Sequence, residues 1–524
     1  MMKKILYLLL LTASFLFAGD SLYCHLKIGG FHELSSNIKA GGDLNGDGYD
    51  DLVINDYYKI YVHFGRDVID SIPDLELAHP LGGSSFYYGV NVVYNCDLNG
   101  DGYDDLVTSD PHMSTPNGTA DGRVFIYWGG SDFDGEPDCY IDGGSLNLDS
   151  FELNFGEELA AGDFNADGFD DLAVYSPGAS FFFFGHVHVF YGSAQFDTIP
   201  DWWKDGQPAS YTGRNLTVGD LNRDGYDDLA FVRGLEEGTF IDLYPGLSGG
   251  LSAQPVWSQE INLGIHHLMG YRLLGHADYN GDGYHDLSFT GYNYNQTDTV
   301  RAKTMIFWGA DNFLLGSQTI SHYNYPINVS AGKLNNGNFH DLIVSYASAV
   351  PYDCKGTIYS YQGDSDFTST GKLISSGLDS LYLFGKISYF VGDVNKDGYD
   401  EIVLGTNKIP YNAENRNWLG IYSIKQPVGI SPSEMVKSNQ IKINNYPNPF
   451  NNSTQICYDL HSMNFVQLDL YNSAGALVKQ LVTRHQNEGF HSINLDAAGL
   501  NSSVYYLSLK AGALRQTKKI ILIK

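Results

Sequence analysis

Acidic and amide side chains stand at fixed spacing in Asp43-Leu44-Asn45-Gly46-Asp47-Gly48-Tyr49-Asp50-Asp51. The run returns with starts at Asp97, Asp163, Asp220, Asp278 and Asp393, and in altered form at Lys333, at intervals of 54, 66, 57, 58, 55 and 60 residues. Oxygens from loop positions 1, 3, 5 and 9, a backbone carbonyl at 7 and a glycine at 6 for the sharp bend match a hard divalent cation. Ca2+ takes about six to eight oxygens at about 2.3–2.6 Å from a flexible cage. The expected ligands are Asp43, Asn45, Asp47, Tyr49 (carbonyl) and Asp51; Asp97, Asn99, Asp101, Tyr103 and Asp105; Asp163, Asn165, Asp167, Phe169 and Asp171. The later copies offer Asp220, Asn222, Asp224, Tyr226 and Asp228; Asp278, Asn280, Asp282, Tyr284 and Asp286; and Asp393, Asn395, Asp397, Tyr399 and Glu401. In the altered copy Lys333 and Gly337 replace the carboxylates at positions 1 and 5, so six calcium ions are expected, with the loop at Lys333 empty.

An EF-hand starts the same way but requires a bidentate Glu at position 12 between helices. Position 12 is Ile54, Thr108, Val174, Phe231, Phe289 or Leu404, each in a strand-like run, which excludes it. The long period disfavours nonapeptide calcium rolls. The position-7 aromatics read as packing between repeats, and the ions as rivets within each repeat rather than as contacts to a ligand.

What must position these loops is a repeated all-β unit. After most copies comes an apolar run such as Leu52-Val53-Ile54, then a turn and an aromatic-rich strand ending in Gly, as in Val124-Phe125-Ile126-Tyr127-Trp128-Gly129. Short β-branched and aromatic runs between turn signals, with no helical periodicity, predict about four strands per repeat. Repeats of this length fit propeller blades. Phe155-Gly156, Tyr175-Ser176-Pro177-Gly178, Phe86-Tyr87-Tyr88-Gly89 and Phe384-Gly385 flank the loops. With the loops they make residues 19–425 resemble the FG-GAP propeller best known from integrin α chains, which implies a seven-bladed β-propeller.

The chain has 524 residues, more than one ordinary core supports, and a net charge of −30 from 61 Asp+Glu against 31 Lys+Arg. That balance argues against nucleic acid and anionic membranes as partners, since both would repel it. Residues 1–18, with Lys3 and Lys4 before an apolar run ending at Ala18, read as a secretory signal peptide, and no later run is long enough to span a membrane. The five cysteines, Cys24, Cys96, Cys139, Cys354 and Cys457, define no disulfide framework.

A catalytic scan yields Gly246-Leu247-Ser248-Gly249-Gly250, which matches the hydrolase elbow pattern. Its position corresponds to the turn Trp128-Gly129-Gly130-Ser131 of another repeat, and it is read as a turn. His186 and His188 should share one face of a strand, a surface pair or a transition-metal pair. Trp202-Trp203 is a sugar-stacking candidate or core.

Residues 426–440 form a linker. Beyond it the charge reverses, with eight Lys/Arg and four Asp/Glu over residues 440–524. Alternating runs such as Val466-Gln467-Leu468-Asp469-Leu470-Tyr471 predict a small β-sandwich of immunoglobulin-like type over residues 441–524. Tyr446-Pro447-Asn448-Pro449-Phe450-Asn451, Gly489-Phe490-His491, Val504-Tyr505-Tyr506 and Thr517-Lys518-Lys519-Ile520-Ile521-Leu522 resemble the type A sorting domain of the type IX secretion system. The resemblance implies the type IX machinery as partner and delivery through the periplasm of a Gram-negative bacterium, to the surface or the medium. The expected function is a binding or adhesion module with a glycan or surface-protein ligand. The alternative is an extracellular polysaccharide lyase or hydrolase on the same scaffold, and a structural surface-layer component is a third class.

Overall fold

The computed structural model describes residues 23–31, 38–55, 59–67, 72–82, 87–114, 121–146, 154–178, 184–207, 210–235, 238–261, 272–292, 302–322, 326–334, 339–346, 357–365, 367, 371–376, 387–406, 417–423, 443–446, 450–451, 453–460, 464–473, 475–486, 489–512 and 514–523. The chain divides into two compact units, Met1–Gln426 and Pro427–Lys524. Among the described residues the only helix is one 3-10 turn, Gly143–Leu146, and no helix is long and apolar enough to cross a membrane. The protein is all-β. Residues 1–18, Phe384-Gly385 and the linker after 426 lie outside the described residues.

Each Asp loop joins the first two strands of a four-stranded antiparallel sheet. In the third sheet these strands are Glu158–Gly162 and Asp171–Ser176, followed by His186–Phe190 and the edge strand Trp202–Asp205. The residue after position 9 starts the buried run of the second strand: Leu52, Leu106, Leu172, Leu229, Leu287, Leu342 and Ile402 are all at most 1% exposed. Burying such a side chain contributes roughly 1.5–3 kcal/mol. The residue at position 2 is also buried in every copy, as Leu44, Leu98, Phe164, Leu221, Tyr279, Leu334 and Val394. The loop is therefore anchored at both ends in apolar packing, while positions 4 to 6 stay exposed in the first five copies and positions 4 and 6 in the seventh, where Asp397 is half-buried.

Seven such sheets occur among the described residues of the first unit. Their first strands are Ile38–Gly42, Val92–Val93, Glu158–Gly162, Arg214–Gly219, Arg272–Ala277, Pro326–Gly332 and Ile387–Phe390. Each touches the first strand of the next sheet, and the last returns to Ile38–Gly42, so the seven form a closed ring around one axis. The seventh sheet takes its outer strand from the start of the chain. Tyr23–Phe31 pairs antiparallel with Asn417–Ser423, from Tyr23 opposite Ser423 to Phe31 opposite Asn417. This closure satisfies an edge that would otherwise present unpaired N–H and C=O groups.

The Phe-Gly elements precede the first strands. Gly89 and Gly156 adopt φ of 77° and 91°. A Cβ on Gly156 would stand 2.7 Å from the Ser109 Cβ of the preceding sheet, whose hydroxyl donates to the Gly156 carbonyl at 2.7 Å. The fourth repeat, which lacks the phenylalanine, keeps the glycine. Gly213 has φ of 103°, and its N–H donates to Val232 as that of Gly156 does to Tyr175. The backbone requirement outlasts the aromatic.

The second unit contains a three-stranded sheet, Ile443–Tyr446, Ser453–Leu460 and Gly489–Asp496, and a four-stranded sheet, Leu477–Gln486, Asn464–Asn472, Ser503–Ala511 and Leu514–Leu522. Ile443, Ile456, Leu460 and Leu495 of the first share one core with Leu468, Leu470, Leu507, Leu509 and Ile520 of the second. Phe450, from the Pro-Asn-Pro-Phe segment, is 3% exposed. Its N–H donates to the Ile521 carbonyl at 2.9 Å, and its carbonyl accepts the Ile523 N–H at 2.8 Å. Phe450 therefore pins the strand Leu514–Leu522.

Removing residues 19–31 should expose the edge of Asn417–Ser423. We expect a lower melting temperature and concentration-dependent association in light scattering, whereas an unchanged monomer would show that the terminal strand is dispensable for closure.

Candidate functional site

Every described Asp loop has one construction, seen in full in the first. The Asp43 carboxylate accepts the N–H groups of Asp47 at 3.0 Å and Gly48 at 2.6 Å, Asn45 Oδ1 accepts that of Asp47 at 2.8 Å, and Asp47 Oδ1 accepts that of Tyr49 at 3.0 Å. Positive φ occurs at position 6, as in Gly48 (81°) and Gly398 (89°), and also at position 4, where Ala166 (55°), Arg223 (58°) and Lys396 (58°) replace the glycine of the other copies. The carboxylates and the amide are thus drawn to the inside of a tight turn by its own backbone.

Position 9 is the buried node. Asp51 Oδ2 accepts the N–H of Leu44 at 2.9 Å, and its Oδ1 that of Gly65, at the end of the third strand, at 2.8 Å. Asp105 with Gly129, Asp171 with Gly192, Asp228 with Gly246, Asp286 with Gly309 and Asp341 with Gly363 repeat it. These glycines are obligatory. A Cβ on Gly65, Gly129, Gly192, Gly246, Gly309 or Gly363 would lie 2.1 to 2.3 Å from the position-8 carbonyl oxygen. Gly246 opens the Gly-x-Ser-x-Gly run, which is therefore the same turn as in the other repeats, with no helix after it and Ser248 exposed in the turn. In the seventh loop the longer Glu401 accepts from Val394 N–H at 3.2 Å and Asn395 Nδ2 at 2.7 Å.

Position 8, which the sequence reading left without a role, connects each loop to its neighbour. Its side chain accepts the position-1 N–H of the preceding loop: Asp104 from Asp43 (2.7 Å), Asp170 from Asp97 (2.8 Å), Asp227 from Asp163 (3.1 Å) and Asp400 from Lys333 (2.6 Å). His285 Nδ1 accepts from Asp220 and His340 Nδ1 from Asp278, both at 3.1 Å. Asp50 accepts from Asp393 at 2.8 Å and closes the circle. Six of the links are returned by the backbone, as when Asp104 N–H donates to the Asp43 carbonyl. The position-7 rings cover the same joints. Tyr103, Phe169 and Phe339 lie on Gly46, Gly100 and Gly281, and where position 4 is basic, Lys396 sits 4.4 Å from the Tyr49 ring centre and Arg223 5.9 Å from that of Tyr284.

The electrostatics of this belt are strained by burial. Desolvation pushes the position-9 acids up to about 7 in Asp51, Asp105 and Asp286, about 8 in Asp171 and Asp228, about 6 in Asp341 and about 9 in Glu401. It raises position 8 as well, to about 6 in Asp104 and Asp227. The N–H groups pull the other way and do not win. A carboxyl whose folded pKa lies above its ordinary value near 4 costs nothing below that ordinary value, opposes folding increasingly as pH climbs from there to the folded value, and carries its full cost above it. Desolvation moves the histidines of the belt the opposite way, His285 downwards and His340 to about 4, which keeps Nδ1 unprotonated as an acceptor.

Among the described residues no three His, Cys, Asp or Glu side chains converge on one ion-sized point. The loop donors face backbone N–H groups instead. The set still suits a hard cation, being all oxygen, and in the first loop each carboxylate oxygen of Asp43, Asp47 and Asp51 keeps a lone pair beyond the one N–H it accepts. Positions 335–338 of the altered loop lie outside the described residues, although Lys333, Asp341 and their links match the other copies.

The remaining candidates resolve as structure. His186 and His188 share a face, with ring centres 6.4 Å apart; His186 pairs with Asp205 at 2.9 Å, and burial holds buried His188 near 4. Trp202 is core, its indole N–H donating to the Ser252 carbonyl at 3.2 Å, while Trp203 is 58% exposed on the edge strand. Cys96 and Cys139 are free thiols.

Comparison with known proteins places an FG-GAP repeat at residues 155–190 and a secretion system C-terminal sorting domain at residues 444–524. The latter implies export to the surface or the medium. Among curated relatives, phosphatidylinositol-glycan-specific phospholipase D of Dictyostelium discoideum is 24% identical over 48% of this chain and 28% of its own length. Integrin alpha-7 of Homo sapiens is 36% identical over 27% of this chain and 12% of its own. The chain thus spans less than a third of the relatives it matches. Two solved structures align at low scores. PorZ, a surface component of the type-IX secretion system of Porphyromonas gingivalis, has TM-score 0.35, 11% identity and coverage of 97% of this chain and 61% of that one. The exotype rhamnogalacturonan lyase YesX has TM-score 0.39, 12% identity and coverage of 76% and 74%.

Asp104→Ala removes a belt acceptor and should cost about 1–3 kcal/mol in urea unfolding at fixed calcium. Asp104→His, the residue type used in two other loops, should recover part of that loss. A His variant no better than Ala would show that the acceptor is not what matters there.

Proposed function

We propose that the chain is an exported, calcium-loaded, seven-bladed β-propeller that serves as a surface or secreted binding module and is delivered by an immunoglobulin-like C-terminal domain through the type IX secretion machinery. The observation that carries this reading is the union, in one chain, of a sorting-domain match over residues 444–524 with a closed ring of sheets built on the Asp-loop repeat. The matched relatives include both integrin chains and a phospholipase. What they share with this chain is therefore better explained by the repeat than by one activity, and the binding surface belongs to this chain's own loops.

In each full loop the ion is held by positions 1, 3, 5 and 9 and the position-7 carbonyl, in the first copy Asp43, Asn45, Asp47, Asp51 and Tyr49. It supplies the positive charge that the buried position-9 acid lacks. Lys333 and Gly337 leave the sixth loop without the acids at positions 1 and 5, so its ring position relies on hydrogen bonds alone. An ion that binds only the folded chain stabilises it by linkage, about 2.7 kcal/mol per site at a hundredfold excess over its dissociation constant.

Atomic emission on the purified chain should return about six calcium ions; seven, or none, would refute the assignment. Deleting residues 441–524 should leave the propeller in the periplasm, and normal surface delivery of the truncated chain would contradict the sorting role.

A further inference from the structure

Three consecutive first strands of the ring begin with charged residues, Glu158 of Glu158–Gly162, Arg214 of Arg214–Gly219 and Arg272 of Arg272–Ala277. The Asp loops leave from the other ends of these strands. The three side chains therefore gather at the mouth of the axis opposite the candidate metal loops. Arg272 Nη2 donates to the Tyr389 hydroxyl at 3.0 Å. Tyr389 belongs to the seventh sheet, and the sixth stands between it and Arg272 along the ring, so the guanidinium reaches its partner across the axis.

Glu158 is held beside them. Its Oε2 accepts the N–H of Leu216 at 3.1 Å, a group released from the strand ladder by an irregularity between Arg214 and Thr217, where Asn215 has φ of 55°. Arg214 and Arg272 both act on the Glu158 carboxylate, yet burial outweighs them and raises it to about 7. Next to it the exposed Glu157 interacts with Arg214 and His112. The His112 ring lies 4.0 Å from that of Tyr87, which is 43% exposed. Apolar residues would close such a mouth at lower cost than desolvated charges do.

We propose that this mouth is a carbohydrate site, in which Arg214, Arg272 and Tyr389 donate to, and Glu158 accepts from, the hydroxyls of one sugar residue, while Tyr87 offers an aromatic face to the next. Planar donors and a carboxylate acceptor set close together satisfy vicinal hydroxyls, each of which both gives and takes a hydrogen bond. An extended peptide would need a row of backbone partners instead. The site rests on the binding-module reading and gives it a location.

The test is a glycan array probed with the intact chain at fixed calcium, followed by calorimetry on the best oligosaccharide. Arg272→Gln and Tyr87→Ala are compared with the parent protein, and melting temperatures establish that both fold. Each should weaken binding about tenfold or more without changing the calcium-dependent melting shift. If the parent binds a glycan and both folded variants bind it equally, the site is wrong and the binding-module reading survives. If the parent binds no glycan, or binds only an acidic peptide control such as polyglutamate, the carbohydrate assignment itself is overturned.

Discussion

Negative charge confined at one end of the ring is the constraint on which the rest of the structure depends. Each repeat contributes a buried acid at position 9, and five of the seven contribute a second at position 8. These acids tie loop, third strand and neighbouring loop together, with Asp50 and Asp393 closing the circle across nearly the whole unit. The same burial that makes their hydrogen bonds effective disfavours their ionised forms. On the proposed reading, a cation in each of the six full loops would reconcile the two demands. It would also account for the regular recurrence of the acids while the strands around them vary, and for the place in the belt of the loop at Lys333, which brings its own positive charge.

Much of this was legible in the sequence because it is written as period and spacing. Positions 1, 3, 5, 6 and 9 were read from residue type, and the reading of the position-7 rings as packing between repeats holds for Tyr103, Phe169 and Phe339. Position 8 was missed because aspartate and histidine share no obvious chemistry until the geometry shows that both act as acceptors for one N–H. The positive φ at position 4 was hidden by Ala166, Arg223 and Lys396, residues that give no sign of left-handed backbone. The pairing of Tyr23–Phe31 with Asn417–Ser423 is a long-range contact to which no local pattern points. Thr212-Gly213 carries no aromatic to mark it in the sequence, although the glycine is the part the backbone needs.

The two units divide the labour. Acidic loops hold the ring, whereas the second unit is basic and is held by an apolar core between two sheets, with Phe450 fastening the terminal strand. Within the ring, the Asp loops lie at one end of the first strands, while Glu158, Arg214 and Arg272 start the opposite ends. On the proposed reading, stability and recognition can therefore change independently.

The central claim, that cations offset buried carboxylates, is tested most directly by the melting temperature of the chain with saturating calcium and with chelator across pH 5 to 8. The position-9 acids take up protons in the folded state through about pH 6 to 9, so the chelated chain should lose stability as pH rises and the gain from calcium should grow towards pH 8. A calcium gain that is absent, or that stays the same from pH 5 to pH 8, would contradict the account.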